Sequence, residues 1–245
     1  MVGVLLWANS FPQILKTELL WTGTKHSLSL LDGCGPSLCL EEDTITPSEH
    51  VRVLGVTISS DLGLNKHVSN VCAAGFFRLR QLRRIRRSLD SDSAATLVHA
   101  FVSSRVDYCN AIFVGAPKNV TDKLQRVLNA AARKYDHGLT DLMHNELHWL
   151  DVPDRVKYKL GMLMYWCQHN QAPRYLMDYC SPVSDVVFRQ RLRSASSHQL
   201  SVPRHRLSTY GHGRRAFSVA RPTVWNSLPD DLRDRNVLET FSDSR

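Results

Sequence analysis

The stretch Leu64-Asn-Lys-His-Val68-Ser-Asn-Val71-Cys-Ala-Ala-Gly75-Phe-Phe-Arg78-Leu-Arg-Gln-Leu82-Arg-Arg-Ile85-Arg-Arg87 decides how the rest of the chain is read. Leu64, Val68, Val71, Gly75, Phe76, Leu79, Leu82 and Ile85 recur at intervals of three and four, the period of an amphipathic helix. On the same segment six arginines, at 78, 80, 83, 84, 86 and 87, fall within ten positions, with no acid until Asp90. At about 100° per residue, Arg80, Arg83, Arg84 and Arg87 form one stripe, while Arg78 and Arg86 flank the apolar seam. So many cations on about three turns repel one another unless a polyanion answers them. Arginine's forked donors match phosphate oxygens, so a nucleic-acid backbone is the partner the pattern favours. The competing readings are a solvated face paired with acids from elsewhere in the fold and, less well supported, an anionic membrane surface.

Working outward, residues 1–60 carry β signals. Thr17 to Gly23, Ser37 to Leu40 with Thr44 to Thr46, and Val51 to Ser59 are short runs separated by Gly, Pro, Asp and Ser. In the last run Val51 and Val53 alternate on one face, then Val56 and Ile58 continue one residue out of phase. Gly55 sits at the slip, where a β-bulge would re-aim the strand. Residues 61–180 are helical. Ser91 to Ser93 resembles an N-cap cluster for a helix with the stripe Leu97, Val98, Phe101, Val102 and Val106. Past a break at Gly115-Ala-Pro117, a third helix carries Val120, Leu124, Val127, Leu128 and Ala131. A shorter one is expected near Thr140 to His148. Pro153 opens another, bearing Val156, Leu160, Leu163, Met164 and Cys167, and Pro173 a short one ending near Tyr179. Residues 181–245 are less periodic, with Arg189, Arg191, Arg193, Arg204, Arg206, Arg214, Arg215 and Arg221 set among Ser, Gly and Pro. Short strands near 199–203 and 215–220 are expected there, then helical turns at Pro222 to Trp225 and Pro229 to Arg233. The fold class is therefore α+β, predominantly α: a small N-terminal antiparallel sheet, a helical bundle, and an irregular basic C-terminal region.

Composition sets the class. The 245 residues suffice for one large domain or two small ones, with about 70–75% of the unfolded surface buried. Hydrophobic content of 43% against 22% charged residues rules out wholesale disorder. A net charge of +8 matters only where it is concentrated. Cys34, Cys39, Cys72, Cys109, Cys167 and Cys180 include no CxxC pair, which reads as buried thiols in a reducing compartment. The apolar start Met1 to Trp7 lacks the basic flank of a signal peptide, and nothing approaches a membrane span. The chain is expected to be soluble and intracellular, cytoplasmic or nuclear, with no membrane partner.

No constellation for catalysis or metal binding stands out. His144 and His148 share a helical face, but a zinc protease needs Glu directly after the first His and a third ligand. Asn119-Val-Thr121 is a sequon without meaning inside a cell. Asp230 and Asp231 read as acids placed in the first turn of a helix.

A resemblance adds to this. Lys16-Thr-Glu-Leu-Leu-Trp21 and Val51-Arg-Val-Leu-Gly-Val-Thr-Ile58 resemble two late palm motifs of reverse transcriptases from non-LTR (LINE-type) retrotransposons, nearest to the jockey and chicken-repeat clades. The likeness continues through Leu97-Val-His-Ala-Phe101, Ser104-Arg-Val-Asp-Tyr-Cys-Asn110 and Leu124-Gln-Arg-Val-Leu-Asn-Ala-Ala-Ala-Arg133. It runs on through Leu147-His-Trp-Leu-Asp-Val-Pro153 and Arg214-Arg-Ala-Phe217 to Pro222-Thr-Val-Trp-Asn-Ser-Leu-Pro229. It spans nearly the whole chain in the family's order.

The resemblance implies that residues 1–60 are the end of a polymerase palm, 61–180 a thumb-like bundle and 181–245 the family's C-terminal extension. Lys16 would lie near the incoming nucleotide, and Leu54-Gly55 would be the hairpin that grips the primer end. The arginine helix would face template–primer duplex, so the partners are RNA or an RNA–DNA hybrid, with a full-length reverse transcriptase as a further candidate. The intact enzyme uses Mg2+, held by aspartates on elements N-terminal to the Lys16 motif. Neither element lies within the fifteen residues before Lys16, and Gln13 stands where the family commonly has Asn. The chain alone is therefore expected to need no cofactor and to bind nucleic acid without polymerising. Two other readings stay open: part of an active RNA-directed DNA polymerase with a frame extending upstream, and a translated relic without function.

Overall fold

The computed structural model describes residues 3–7, 17–31, 33–40, 43–132, 150–178, 180–186, 188, 197–203 and 216–233. Contacts divide the chain into two units, one of residues 1–109 and 117–149, the other of residues 110–116 and 150–245. These boundaries differ from the three-part division read in the sequence, because the helix after Pro153 groups with the C-terminal residues. The chain is α+β and predominantly helical. Among the described residues, no helix is long and apolar enough to cross a membrane.

The first unit begins with three two-stranded antiparallel sheets where the sequence suggests one. Strand β1 (Gly3–Trp7), which sequence reading passed over, pairs with β2 (Glu18–Thr22). A short helix, α1 (Lys25–Ser29), follows, capped by Thr24 Oγ1 accepting from Ser27 N. Strand β3 (Leu38–Leu40) pairs with β4 (Asp43–Ile45). Strand β5 (His50–Val53) pairs with β6 (Val56–Ser59), putting Val51 opposite Ile58 and Val53 opposite Val56.

That register corrects the expected bulge. Residues 51–59 are not one kinked strand but two strands joined by Leu54 and Gly55, at φ +47° and +83°. Positive φ at both central residues is the mark of a type I′ turn, whose twist matches that of the flanking strands. Residues flanking a two-residue turn face each other across the hairpin. The one-residue slip in the valine pattern is the sequence signature of this turn, and it places all four apolar side chains on one face.

Helix α2 (Asn65–Ile85) then runs for 21 residues. Its buried line is Val68, Gly75, Leu79 and Leu82, with His67 beside it. Phe76 and Ile85, read as part of the apolar stripe, are exposed instead. Helix α3 (Ser91–Val98) is capped by Asp90, not by the serines after it: the Asp90 carboxylate accepts from Ser93 N at 3.1 Å. These hydrogen bonds from Ser93 hold the carboxyl below the usual carboxylate range. A π turn, His99–Ser103, interrupts the helix before it resumes as α4 (Ser104–Asp107). Val98, Val102 and Val106 still point inward, but Phe101, expected in the core, is 41% exposed. Helix α5 (Lys118–Ala132) buries Val120, Leu124, Val127, Leu128 and Ala131 as its period requires. The core joins Leu79 and Leu82 of α2 to Val98, Val102, Val127 and Ala131. At the α2–α5 contact a Cβ on residue 75 would lie 2.7 Å from Val127 Cγ1, a separation only glycine permits.

In the second unit, α6 (Val152–Gln168) carries Pro153 in its first turn and buries Val156, Leu160, Met164 and Cys167. The short α7 (Arg174–Met177) starts at Pro173, as expected. Residues 217–220, expected as a strand, belong instead to α8 (Phe217–Asn226), which continues through Pro222 and packs on α6. Helix α9 (Asp230–Arg233) follows, where Asp230 pairs with Arg233. The expected strand at 199–203 amounts to one bridge, Leu200 to Pro182.

Two members of the Pro222–Pro229 motif explain how that segment is held. Asn226 accepts from Leu200 N and donates to Leu200 O, both at 2.9 Å, and Trp225 Nε1 donates to His198 O at 3.1 Å. Trp225 also packs with Met164 and Leu200 in the core. Arg221, read as part of a basic extension, is fully buried. Its donors reach Cys167 Sγ, Leu176 O and Phe217 O, and its guanidinium lies 3.6 Å from the Phe217 ring centroid. The six thiols are free. They are less buried than expected: Cys167 is interior, Cys72 and Cys180 are half-buried, and Cys34, Cys39 and Cys109 are exposed. The Cys180 thiol is pushed up to about 11, chiefly by burial.

Two backbone positions can be checked by calorimetry. Gly75→Ala forces overpacking against Val127, a cost of about 1–3 kcal/mol, against a helix-propensity gain of about 1 kcal/mol. A lowered Tm is expected, by the equivalent of up to about 2 kcal/mol. At the hairpin, Leu54→Asn should raise Tm, because Leu54 is 68% exposed and held in a conformation that Asn tolerates better. Gly55→Ala should lower it by about 1–2 kcal/mol.

Candidate nucleic-acid interface

The arginine run lies on the C-terminal half of α2 and the 3-10 turn that follows, Arg86–Ser88. Leu79 and Leu82 turn inward, so Arg80, Arg83 and Arg84 face out. Arg87 extends the line on the 3-10 turn rather than on the helix itself. All four are exposed, and none makes an ion pair among the described residues. The nearest acid in sequence, Asp90, is engaged at the cap of α3.

The other two arginines are held differently. Arg86 is half-buried and donates through Nη1 to Leu89 O at 2.9 Å, closing the turn below the helix. Arg78 sets its guanidinium 5.8 Å from the Phe77 ring centroid and 5.7 Å from that of Phe101. These separations suit cation–π attraction.

Magnitudes decide what the stripe does to the free protein. The pairs 80–83, 80–84, 83–87 and 84–87 bring like charges to helical neighbour positions, each unfavourable by about 0.2–0.5 kcal/mol. Arg83 and Arg84 also sit in the last turn of α2, where the helix dipole favours each by about 0.3–1 kcal/mol. The two effects nearly cancel. The stripe is thus a concentration of positive charge that fold stability neither requires nor forbids.

Leu54 and Gly55 lie at the tip of the β5–β6 hairpin. Tyr108 Oη donates to Leu54 O at 2.6 Å and pins the turn to the end of α4. Gly55 borders an open cleft of about 790 Å3 between the hairpin, the N-terminal half of α2 and the π turn. Sequence reading missed this cleft, whose walls come from three separated segments. Its one sequence-level trace was the aromatic Phe101, assigned to the core. A smaller cleft of about 480 Å3 beside Trp21 is lined in part by Glu49 and Asp61, the wrong charge for phosphate.

His67 lies under the hairpin in the first turn of α2. Thr57 N donates to His67 Nδ1 at 3.4 Å, so that nitrogen must be unprotonated. Burial, aided by Arg52, holds the imidazole below its ordinary value. Lys16, His144 and His148, and the arginines from 189 to 215, lie outside the described residues. Among the described residues no three His, Cys, Asp or Glu side chains gather into a metal site.

A depressed imidazole has a defined signature. The unfolded chain takes up a proton at His67 near pH 6.5, before the folded chain does, so its contribution to stability is complete above that pH. The contribution declines as the pH falls toward the folded value. Tm measured from pH 8 to pH 5 should drop on the acid side, and His67→Gln should flatten that drop relative to the parent. Comparison with protein-family models, curated proteins and solved structures finds no match.

Proposed function

We propose that this chain is a reverse-transcriptase-like protein that binds nucleic acid, RNA or an RNA–DNA hybrid, through the arginine stripe of α2 acting as a thumb. One observation carries the reading: Arg80, Arg83, Arg84 and Arg87 stand exposed in a line with no acidic partner among the described residues. A solvated face would interleave Glu or Asp. A phosphate backbone supplies a matching row of anions, and guanidinium groups engage it with paired donors. The resemblance noted in the sequence points the same way, since a thumb packs on template–primer duplex. Binding, not nucleotide transfer, is the activity assigned to these residues.

The test is binding of the purified chain to an RNA–DNA hybrid across a salt series. With about four phosphates neutralised, log K against log salt should slope about −3 to −4. Changing Arg80, Arg83, Arg84 and Arg87 together to Gln should abolish most of that slope and leave Tm nearly unchanged, since repulsion and dipole terms cancel. Equally weak binding by both proteins would reduce the stripe to a solvated face and favour the relic reading. A parent chain without cooperative thermal unfolding would favour it too.

A further inference from the structure

We propose that the cleft between the β5–β6 turn, the N-terminal half of α2 and the π turn holds one unpaired nucleotide of a single-stranded nucleic acid. Its base would stack on Phe101 and Tyr108, and its phosphate would sit between Arg52 and Arg105. The inference rests on the reading that the chain binds nucleic acid, and it adds a second ligand form and a second site.

The volume, about 790 Å3, lies within the range of small-ligand sites. Phe101 and Tyr108 are 41% and 51% exposed, and both line the cleft. Apolar surface gathered in one cleft, unlike apolar residues scattered singly, marks a place for a ligand. Both rings are also positioned in advance. Tyr108 is tethered to Leu54 O, and Phe101 is turned outward by the π turn with the Arg78 guanidinium beside it. Gly55, Ala74 and Ala100 keep the remaining wall low enough for a flat ring to enter.

The polar lining fixes the charge of the ligand. Arg52 and Arg105 are exposed, make no ion pair among the described residues, and no lining residue is acidic. Glu18 on β2 accepts from the backbone N–H of Arg52 at 3.0 Å and forms no ion pair with its guanidinium, and Asp107, between Arg105 and Tyr108 in sequence, is half-buried and outside the lining. Asn70 brings a side-chain amide to the same space, while Ser104, whose hydroxyl donates to Ala100 O, can only accept there. An acidic peptide would satisfy the arginines and leave the rings uncovered. A duplex would offer phosphates, but its base faces are already stacked on one another. Only an unstacked base with its phosphate matches both halves of the lining.

The experiment compares a fluorescent oligothymidylate with a fluorescent RNA–DNA hybrid, each titrated with three full-length proteins: the parent, Phe101→Ala/Arg105→Gln, and the four-Gln stripe variant. The cleft variant should bind the single strand about 5- to 150-fold more weakly, the range expected for one lost stacking contact, and keep its hybrid affinity within about two-fold. The stripe variant should show the larger loss on the hybrid. Unchanged single-strand affinity in the cleft variant, or equal losses on both ligands, would overturn the proposal while leaving the stripe reading to its own arm. Binding of neither ligand by the parent would overturn both. Thermal unfolding checks that the variants fold, and Phe101→Trp gives an independent readout. Its added emission should be quenched by the oligothymidylate, and an unquenched signal at saturation would sink the proposal.

Discussion

Gly75 and Val127 fix the relation between the two longest helices of the first unit. With no side chain at 75, α2 settles against α5 until Val127 Cγ1 occupies the space a Cβ would need. Helical geometry does the rest. Once Gly75, Leu79 and Leu82 are committed to α5 and α3, positions 80, 83 and 84 have nowhere to point but solvent. The hairpin rests on the first turns of the same helix through Thr57 and His67, so its tip is placed by the same contact. A rotation of α2 to relieve crowding at residue 75 would re-aim the stripe and one wall of the cleft together.

Arginine is used here in physically distinct ways, and a net charge of +8 distinguishes none of them. Arg221 is interior, its donors taken by a thiol and carbonyls and its face by an aromatic ring. Burying a guanidinium is unfavourable unless its donors find partners, and here each of its three nitrogens has one. Arg86 closes a turn, Arg78 lies near two rings, and the stripe stands in water. Of these, the last group is an electrostatic surface in the sense that matters for a polyanion.

Helix α2, α5 and α6 were legible because their buried positions keep one period over fifteen residues or more. The turn at Leu54-Gly55 was half-legible. Its phase slip was visible, but a bulge and a two-residue turn both produce one, and only the pairing of Val53 with Val56 separates them. Residues 217–220 were misread because Phe, Val and a following Pro suit short extended pieces. The apolar face of α6 overrides that preference by giving Val219, Ala220 and Trp225 somewhere to pack. The cleft was illegible in principle, since Arg52, Asn70, Phe101 and Tyr108 acquire meaning only when three segments meet. Phe101 misled because it falls on the helical period that the π turn then breaks.

That π turn has a consequence for how this protein can change over time. It takes one residue more than an α-helical turn would, and absorbs it locally, so that Val98, Val102 and Val106 stay on one buried face across it. A single-residue deletion inside the π turn would therefore return it to regular winding with the downstream segment near its present phase, whereas a deletion in the α-helical residues on either side would swing everything beyond it by about 100°. In that second case Tyr108 would leave Leu54, and the aromatic wall would be dismantled without any cleft residue being altered. Substitutions can accumulate in this segment so long as the valines keep facing inward, whereas the length of its α-helical parts is under a far tighter constraint. The π turn is the one place along it where a residue can be lost at little cost to the cleft.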